Sequence, residues 1–239
     1  MKKSLLEITA TIFLLGAAPI QAPRTPRPPA GTNNPAEREK KPAAEVGEEA
    51  PLFELVDQFG KTHKLEDYND SIVVLEWFNE TCPYCVAVWK SGLVEKLIAD
   101  LGEVDTPVVY LSINSTANRP EDEVLESGKE FIEDAELEVP MLMDYDGKVG
   151  RSYAARTTPH MFVIDTEGVL IYQGAISDDL RGKEGDKAET HVLRAVQQTV
   201  AGQEVTPSYV KPWGCSVKYA KKDGDDRRMR PRRPKNPRD

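Results

Sequence analysis

Apolar positions along the chain change period three times, and the changes outline the fold. Residues 72–78, Ile-Val-Val-Leu-Glu-Trp-Phe, are dense in β-branched and aromatic side chains and are bounded by polar turns. Such a run predicts a buried central strand. From residue 83 to about 101 the spacing becomes helical, with Val86, Trp89, Leu93, Val94, Leu97 and Ile98 on one side. Residues 107–113 predict a second buried strand, and 120–134 a helix with Val124, Leu125, Phe131 and Ile132 inward. Met161-Phe-Val-Ile164 and Val169-Leu-Ile-Tyr172 flank the turn Asp165-Thr-Glu-Gly168, which predicts a hairpin. Asp186-Lys-Ala-Glu189 reads as a capping box opening a last helix, and Gly202 closes it. The order strand, helix, strand, helix, hairpin, helix predicts an α/β sandwich: a central mixed sheet flanked by helices.

The flanks follow other rules. Lys2 and Lys3 precede an apolar stretch over residues 5–20, with Ala17, Ala18 and Ala22 near its end. This pattern predicts an export signal over residues 1–22 and work in an oxidising, periplasmic compartment. Without that role for the segment, the protein would be cytoplasmic. Residues 23–50 are rich in Pro, Ala, Glu, Arg and Lys and are expected to form a disordered linker. The globular domain is expected over 51–220 and a basic, disordered tail over 221–239. No apolar run reaches the roughly 18 residues of a membrane span.

Charge separates the parts further. The chain carries 31 basic and 40 acidic residues, a net of −9, which argues against a general nucleic-acid binder. From Val217 onward ten Lys or Arg face four Asp, a net of +6, leaving −15 on the rest. The run Arg227-Arg-Met-Arg-Pro-Arg-Arg-Pro-Lys235 lacks interleaved aromatics and reads as a solvated tail, with no specific nucleic-acid role.

With only three cysteines the chain is no disulfide scaffold, yet two of them carry its chemistry. Cys82-Pro83-Tyr84-Cys85 follows the first strand and opens the first helix. With Cys82 as N-cap, Pro83 occupies the first helical position, where a missing N–H costs nothing. Cys85 lies one turn along, close enough to close a small disulfide ring. Free N–H groups and the helix dipole favour a Cys82 thiolate, the species that attacks a disulfide to form a mixed disulfide. Cys85 would resolve that species. Half of a zinc site shares this spacing, but no second Cys-x-x-Cys or His-x-x-x-His exists to complete one.

The segment Trp77-Phe-Asn-Glu-Thr-Cys-Pro-Tyr-Cys85, with Thr157-Thr-Pro-His-Met-Phe-Val-Ile164 later, resembles the thioredoxin-like superfamily. The likeness is greatest to the exported redoxin branch grouped with AhpC/TSA domains. Tyr145-Asp-Gly-Lys-Val-Gly150 and Trp213-Gly-Cys-Ser-Val-Lys-Tyr219 also look like this branch, and the resemblance covers about residues 50–220. It implies a thioredoxin-like sandwich and a thiol-disulfide oxidoreductase without an organic cofactor. Its partners would be protein thiols and disulfides, with another thiol protein as electron donor or acceptor. It further implies a cis Thr158-Pro159 platform for substrate facing Cys82, and a buried acid at Glu76 that helps deprotonate Cys85. Strand alternation alone would allow Glu76 to face solvent instead. Trp77 packs over the dithiol or serves as a core aromatic. Tyr84, the exposed x of the motif, shapes substrate contact or is a passive surface residue.

Three readings stay open beside this one. AhpC/TSA-type peroxidases carry Pro-x-x-x-Thr-x-x-Cys, whereas here Leu75 and Asn79 stand at the Pro and Thr positions, which argues against a peroxidase site of the usual kind. Cys82, Cys85 and His160 would suit a copper-delivery protein if they met in space. Cys215 is left over if Cys82 and Cys85 pair. It is then a third redox thiol, an intermolecular partner or a free buried thiol. His63 and His191 are expected at the surface.

Overall fold

The computed structural model describes residues 43–220. The export segment, most of the linker and the basic tail lie outside the described residues. Among those described, no helix is long and apolar enough to cross a membrane.

Chain order runs β1 (Glu54–Asp57), β2 (Thr62–Lys64), β3 (Ile72–Trp77), α1 (Pro83–Lys90), α2 (Leu93–Gly102), β4 (Val108–Asn114) and α3 (Glu121–Asp134). It continues with β5 (Met141–Met143), α4 (Lys148–Ser152), β6 (Thr157–Thr158), β7 (His160–Ile164) and β8 (Leu170–Gly174). It closes with α5 (His191–Val200), β9 (Tyr209–Val210) and β10 (Cys215–Ser216). Eight strands form one sheet in the order β2-β1-β5-β4-β3-β7-β8-β9. β3, β4 and β5 run parallel, while β7 lies antiparallel to β3 and β8 antiparallel to β7. This is the expected mixed-sheet sandwich. β6 and β10 stand apart as a two-stranded ribbon.

All six residues of β3 are buried, because the sheet is covered on both faces. Ile72, Val74 and Phe78 join one core with α1, α2, α5 and Ile132 of α3. Val73, Leu75 and Trp77 join the other, with Phe53, Leu65 and Tyr153. The period of two thus sorts successive side chains onto opposite faces. The carboxylate at position 76 falls on the α1 side.

Four local expectations change. The single helix over 83–101 is two helices, because Gly92 takes a left-handed φ of 81° and breaks the run. Thr190, not Asp186, caps α5: its hydroxyl accepts from Leu193 N at 3.2 Å. His63 is buried, not at the surface. Its Nε2 lies 2.8 Å from Asp57 Oδ2, and its Nδ1 contacts the Tyr68 hydroxyl. Finally, residues 44–50, placed in the linker by composition, pack against the domain. Gly47 N donates to Leu170 O (2.8 Å), Leu170 N to Glu48 O (3.0 Å) and Ala50 N to Gly168 O (2.9 Å). Small residues such as Ala44 and Ala50 are buried there, a role that a low apolar content conceals.

Candidate active site

The chemistry gathers where β3 ends and α1 begins. The turn between them is tied down from within. Asn79 Oδ1 accepts from Thr81 N (2.8 Å) and from the Thr81 hydroxyl (2.7 Å), and Cys82 N donates to Asn79 O (3.0 Å). Glu80 is buried and braces the same turn. Its carboxylate accepts from Ser127 Oγ (2.8 Å), Asn114 Nδ2 (3.1 Å) and the Arg119 guanidinium. Cys82 is the N-cap of α1, with φ −76° and ψ 120°, and Pro83 begins the helix. Both sulfurs are buried, Cys82 at 2 % exposure and Cys85 at 0 %.

The two thiols are driven apart electrostatically. Cys82 is pulled down to about 4, first because the Cys85 thiol donates to its sulfur. Burial opposes this, but the Thr158 hydroxyl, the Cys85 backbone N–H and the Cys215 thiol add their support. As a thiol, Cys82 donates to Thr158 O at 3.0 Å. Cys85 is pushed well above an ordinary thiol, chiefly by burial, then by donating to Cys82 and by the nearby Glu76 charge. The surroundings therefore favour the thiolate at Cys82 and the protonated thiol at Cys85.

Glu76 lies under the dithiol, fully buried. Tyr110 OH donates to its Oε2 (2.7 Å), and Trp89 Nε1 lies 3.2 Å from each carboxylate oxygen. Burial raises its pKa from 4.5 to about 7 against those hydrogen bonds, with a small push from the Cys82 charge. Tyr110 reaches it because Val74 and Tyr110 are register partners, two pairs before Glu76 and Ser112 and so on the same face. Tyr110, Trp89, Asn79 and Glu80 were not anticipated as site residues. The aromatic residues read as core positions, and nothing in spacing ties Glu80 to Ser127.

Thr158-Pro159 is cis, and Thr158 meets Cys82 as expected. Two other assignments fail. Trp77 is wholly buried on the opposite face, packed 5.2 Å from Tyr153 and 5.0 Å from Phe162 between ring centroids, with Nε1 donating to Ser115 Oγ (3.1 Å). It is a core aromatic, not a substrate contact. His160 fails for the same reason. It pairs with Trp77 in the β3–β7 register and lies tilted against Phe162, with centroids 4.4 Å apart, on the far face from Glu76. It cannot meet Cys85 across the sheet, so the copper reading falls. Among the described residues no group of three His, Cys, Asp or Glu is arranged to hold a metal ion. Tyr84 is half-buried and tilts against Trp213, with centroids 6.0 Å apart. Cys215 is half-buried beside Cys82.

Residues 46–173 match the AhpC/TSA family model, more than half of the chain. The thiol-disulfide oxidoreductase ResA of Bacillus thuringiensis is 25% identical over 134 residues, covering 56% of this chain and 72% of that protein. Among solved structures, a hypothetical protein of Sinorhizobium meliloti superposes with a TM-score of 0.66 at 25% identity, over 74% of this chain and 96% of its own. An uncharacterized conserved protein of Geobacillus kaustophilus gives 0.63 at 25% identity, over 74% and 93%.

Proposed function

The chain belongs to the AhpC/TSA family, with a thioredoxin-like fold, and on that premise we propose that it is a thiol-disulfide oxidoreductase acting on protein thiols and disulfides. The reading is carried by one juxtaposition: a dithiol at a helix N-terminus, above a buried carboxylate on the same face and beside Thr158. The likeness to ResA supports the same reaction class.

The Cys82 thiolate attacks one sulfur of a substrate disulfide. A Cys82–substrate bond forms as the substrate's own bond breaks, and the second substrate sulfur leaves as thiolate. Cys85 then gives up its proton, attacks Cys82 Sγ and releases the substrate, leaving a Cys82–Cys85 disulfide. Glu76, poised near neutrality in a dry site, is the acceptor for that proton. Tyr110 and Trp89 hold the carboxylate in place and are positioning residues. Run in reverse, the same steps oxidise a dithiol. A reducing turnover ends when another thiol protein regenerates the dithiol.

This reading is preferred to a peroxidase because position 79 offers an amide, already committed to Thr81, where peroxidases of the family carry a hydroxyl. The pattern of residues 1–22 supports a place in an oxidising compartment outside the cytoplasm, and N-terminal sequencing of the exported form tests it. Insulin reduction tests the activity. Cys82→Ser should abolish turnover, and a chain carrying both Cys85→Ser and Cys215→Ser, with Cys82 its one thiol, should accumulate mixed disulfides with substrate. Unchanged turnover of Cys82→Ser would reject the assignment.

A further inference from the structure

A nucleophile that works on other proteins is expected at a surface, yet Cys82 is 2 % exposed. What covers it is the chain's own C-terminal segment. β10 pairs antiparallel with β6, placing Cys215 opposite Thr158 and Ser216 opposite Thr157. The backbone of Thr158, beside the attacking sulfur, is thus engaged by a short extended strand, as an added peptide strand would engage it.

The fit depends on Gly214. A Cβ at that position would lie 2.2 Å from Thr158 O and 3.2 Å from Pro159 N, and its φ of 132° disfavours other residues. Anchors lie on both sides. Trp213 Nε1 donates to Ser177 O (2.8 Å) and its ring tilts on Tyr84. Val217 N donates to Arg156 O (3.1 Å), Ala117 N to Lys218 O (2.8 Å) and Tyr219 OH to Ala155 O (2.9 Å). Between these anchors Cys215 sits at the register position opposite Thr158, whose carbonyl oxygen is 3.0 Å from the Cys82 sulfur, and this brings its thiol beside that sulfur.

We infer that residues 213–219 form a tethered, substrate-like strand whose Cys215 exchanges disulfides with Cys82 as a second resolving thiol. The inference rests on the dithiol reading above. In the exchange, Cys215 loses its proton and attacks Cys82 Sγ of a mixed disulfide. The Cys82–Cys215 bond forms, the bond to the outside sulfur breaks, and that sulfur leaves as thiolate. Cys85 can then attack Cys82 Sγ in turn. The Cys82–Cys85 bond forms, and Cys215 takes back a proton as Cys85 gives one up. This second step is an isomerisation and needs no oxidant. The strand also shields the nucleophile, so an outside peptide must displace it.

The test uses the full chain carrying Cys85→Ser, reduced and then exposed to glutathione disulfide, with peptide mapping by mass spectrometry under non-reducing conditions. The expected product is monomeric chain with a Cys82–Cys215 cross-link and the glutathione adduct on Cys82 only transient. A stable adduct on Cys82 with Cys215 still a free thiol overturns the inference while leaving Cys82 as nucleophile. Neither adduct nor cross-link would mean that Cys82 does not attack disulfides, and the dithiol reading fails with it. A second variant probes the seating without touching a thiol. In the otherwise unchanged reduced chain, Gly214→Ala should raise the alkylation rate of Cys82 by iodoacetamide about tenfold, the effect of losing roughly one ladder hydrogen bond. An unchanged rate would overturn the substrate-like seating.

Discussion

Replacing Glu76 by Gln removes the one ionisation that the core beneath the dithiol holds near neutrality. In the folded protein the carboxyl titrates at about 7, against 4.5 for an ordinary glutamate. The fold therefore binds this proton more tightly than the unfolded chain does. That stabilisation is complete below about pH 4.5 and is lost as pH rises to 7, where a charge sits in an apolar core. The displacement corresponds to about 3 kcal/mol. Cys82 works in the opposite sense: its depressed pKa makes the fold more stable as pH rises above about 4. In the reduced wild-type protein these two slopes oppose each other between pH 4.5 and 7, while buried His160, held neutral down to about 3, adds a rise up to about pH 6.5. The variant loses the Glu76 slope and keeps those of Cys82 and His160. Urea unfolding of both proteins in excess reductant, from pH 4.5 to 8, isolates Glu76 in the difference between them. The stability of Glu76→Gln relative to wild type should climb by about 3 kcal/mol over that range, a midpoint shift of roughly 1–2 M urea. Any fixed cost of placing an amide beside Tyr110 and Trp89 shifts the whole difference curve without tilting it. A flat curve would refute the buried, proton-holding carboxylate and its part in resolution.

Other consequences are more direct. Tyr110→Phe deletes the 2.7 Å hydrogen bond that favours the carboxylate, so the midpoint of that difference curve should move to higher pH. In stopped-flow resolution of a preformed Cys82 mixed disulfide at pH 7, in a Cys215→Ser background that leaves Cys85 as the resolving thiol, Glu76→Gln should be slower by about 100-fold. Trp77→Ala should cost about 3–5 kcal/mol by chemical denaturation, yet leave the Cys82 alkylation rate of the folded protein unchanged, since the ring packs on the other face of the sheet. In the reduced wild-type chain, alkylation of Cys82 should be nearly independent of pH from 5.5 to 8, because its thiolate persists down to about 4.

Much of the fold was written in the sequence, for a definite reason. Strands β3, β4, β7 and β8 announce themselves because buried β-branched runs and a Gly-containing turn are local signals. Asp165 Oδ1 accepting from Glu167 N and Val169 N (both 2.9 Å) is the sort of turn chemistry that four residues specify unaided. Short strands such as β1, β5 and β9 went unseen, because two to four residues are too few to display a period.

At the site the division is sharper. The spacing of Cys82 and Cys85, the Pro at the first helical position and the Thr-Pro before a strand are properties of consecutive residues, so the linear chain discloses the dithiol and its helix. Which face of the sheet a side chain occupies depends on register and on what covers each face. Only the assembled sheet could send Glu76 toward Tyr110 and Trp89 while turning Trp77 and His160 away from the sulfurs. The place of Cys215, 130 residues from Cys85 along the chain, was beyond any local pattern. Its seat beside Cys82 comes from β10 closing on β6, with Gly214 leaving room for two backbones to meet.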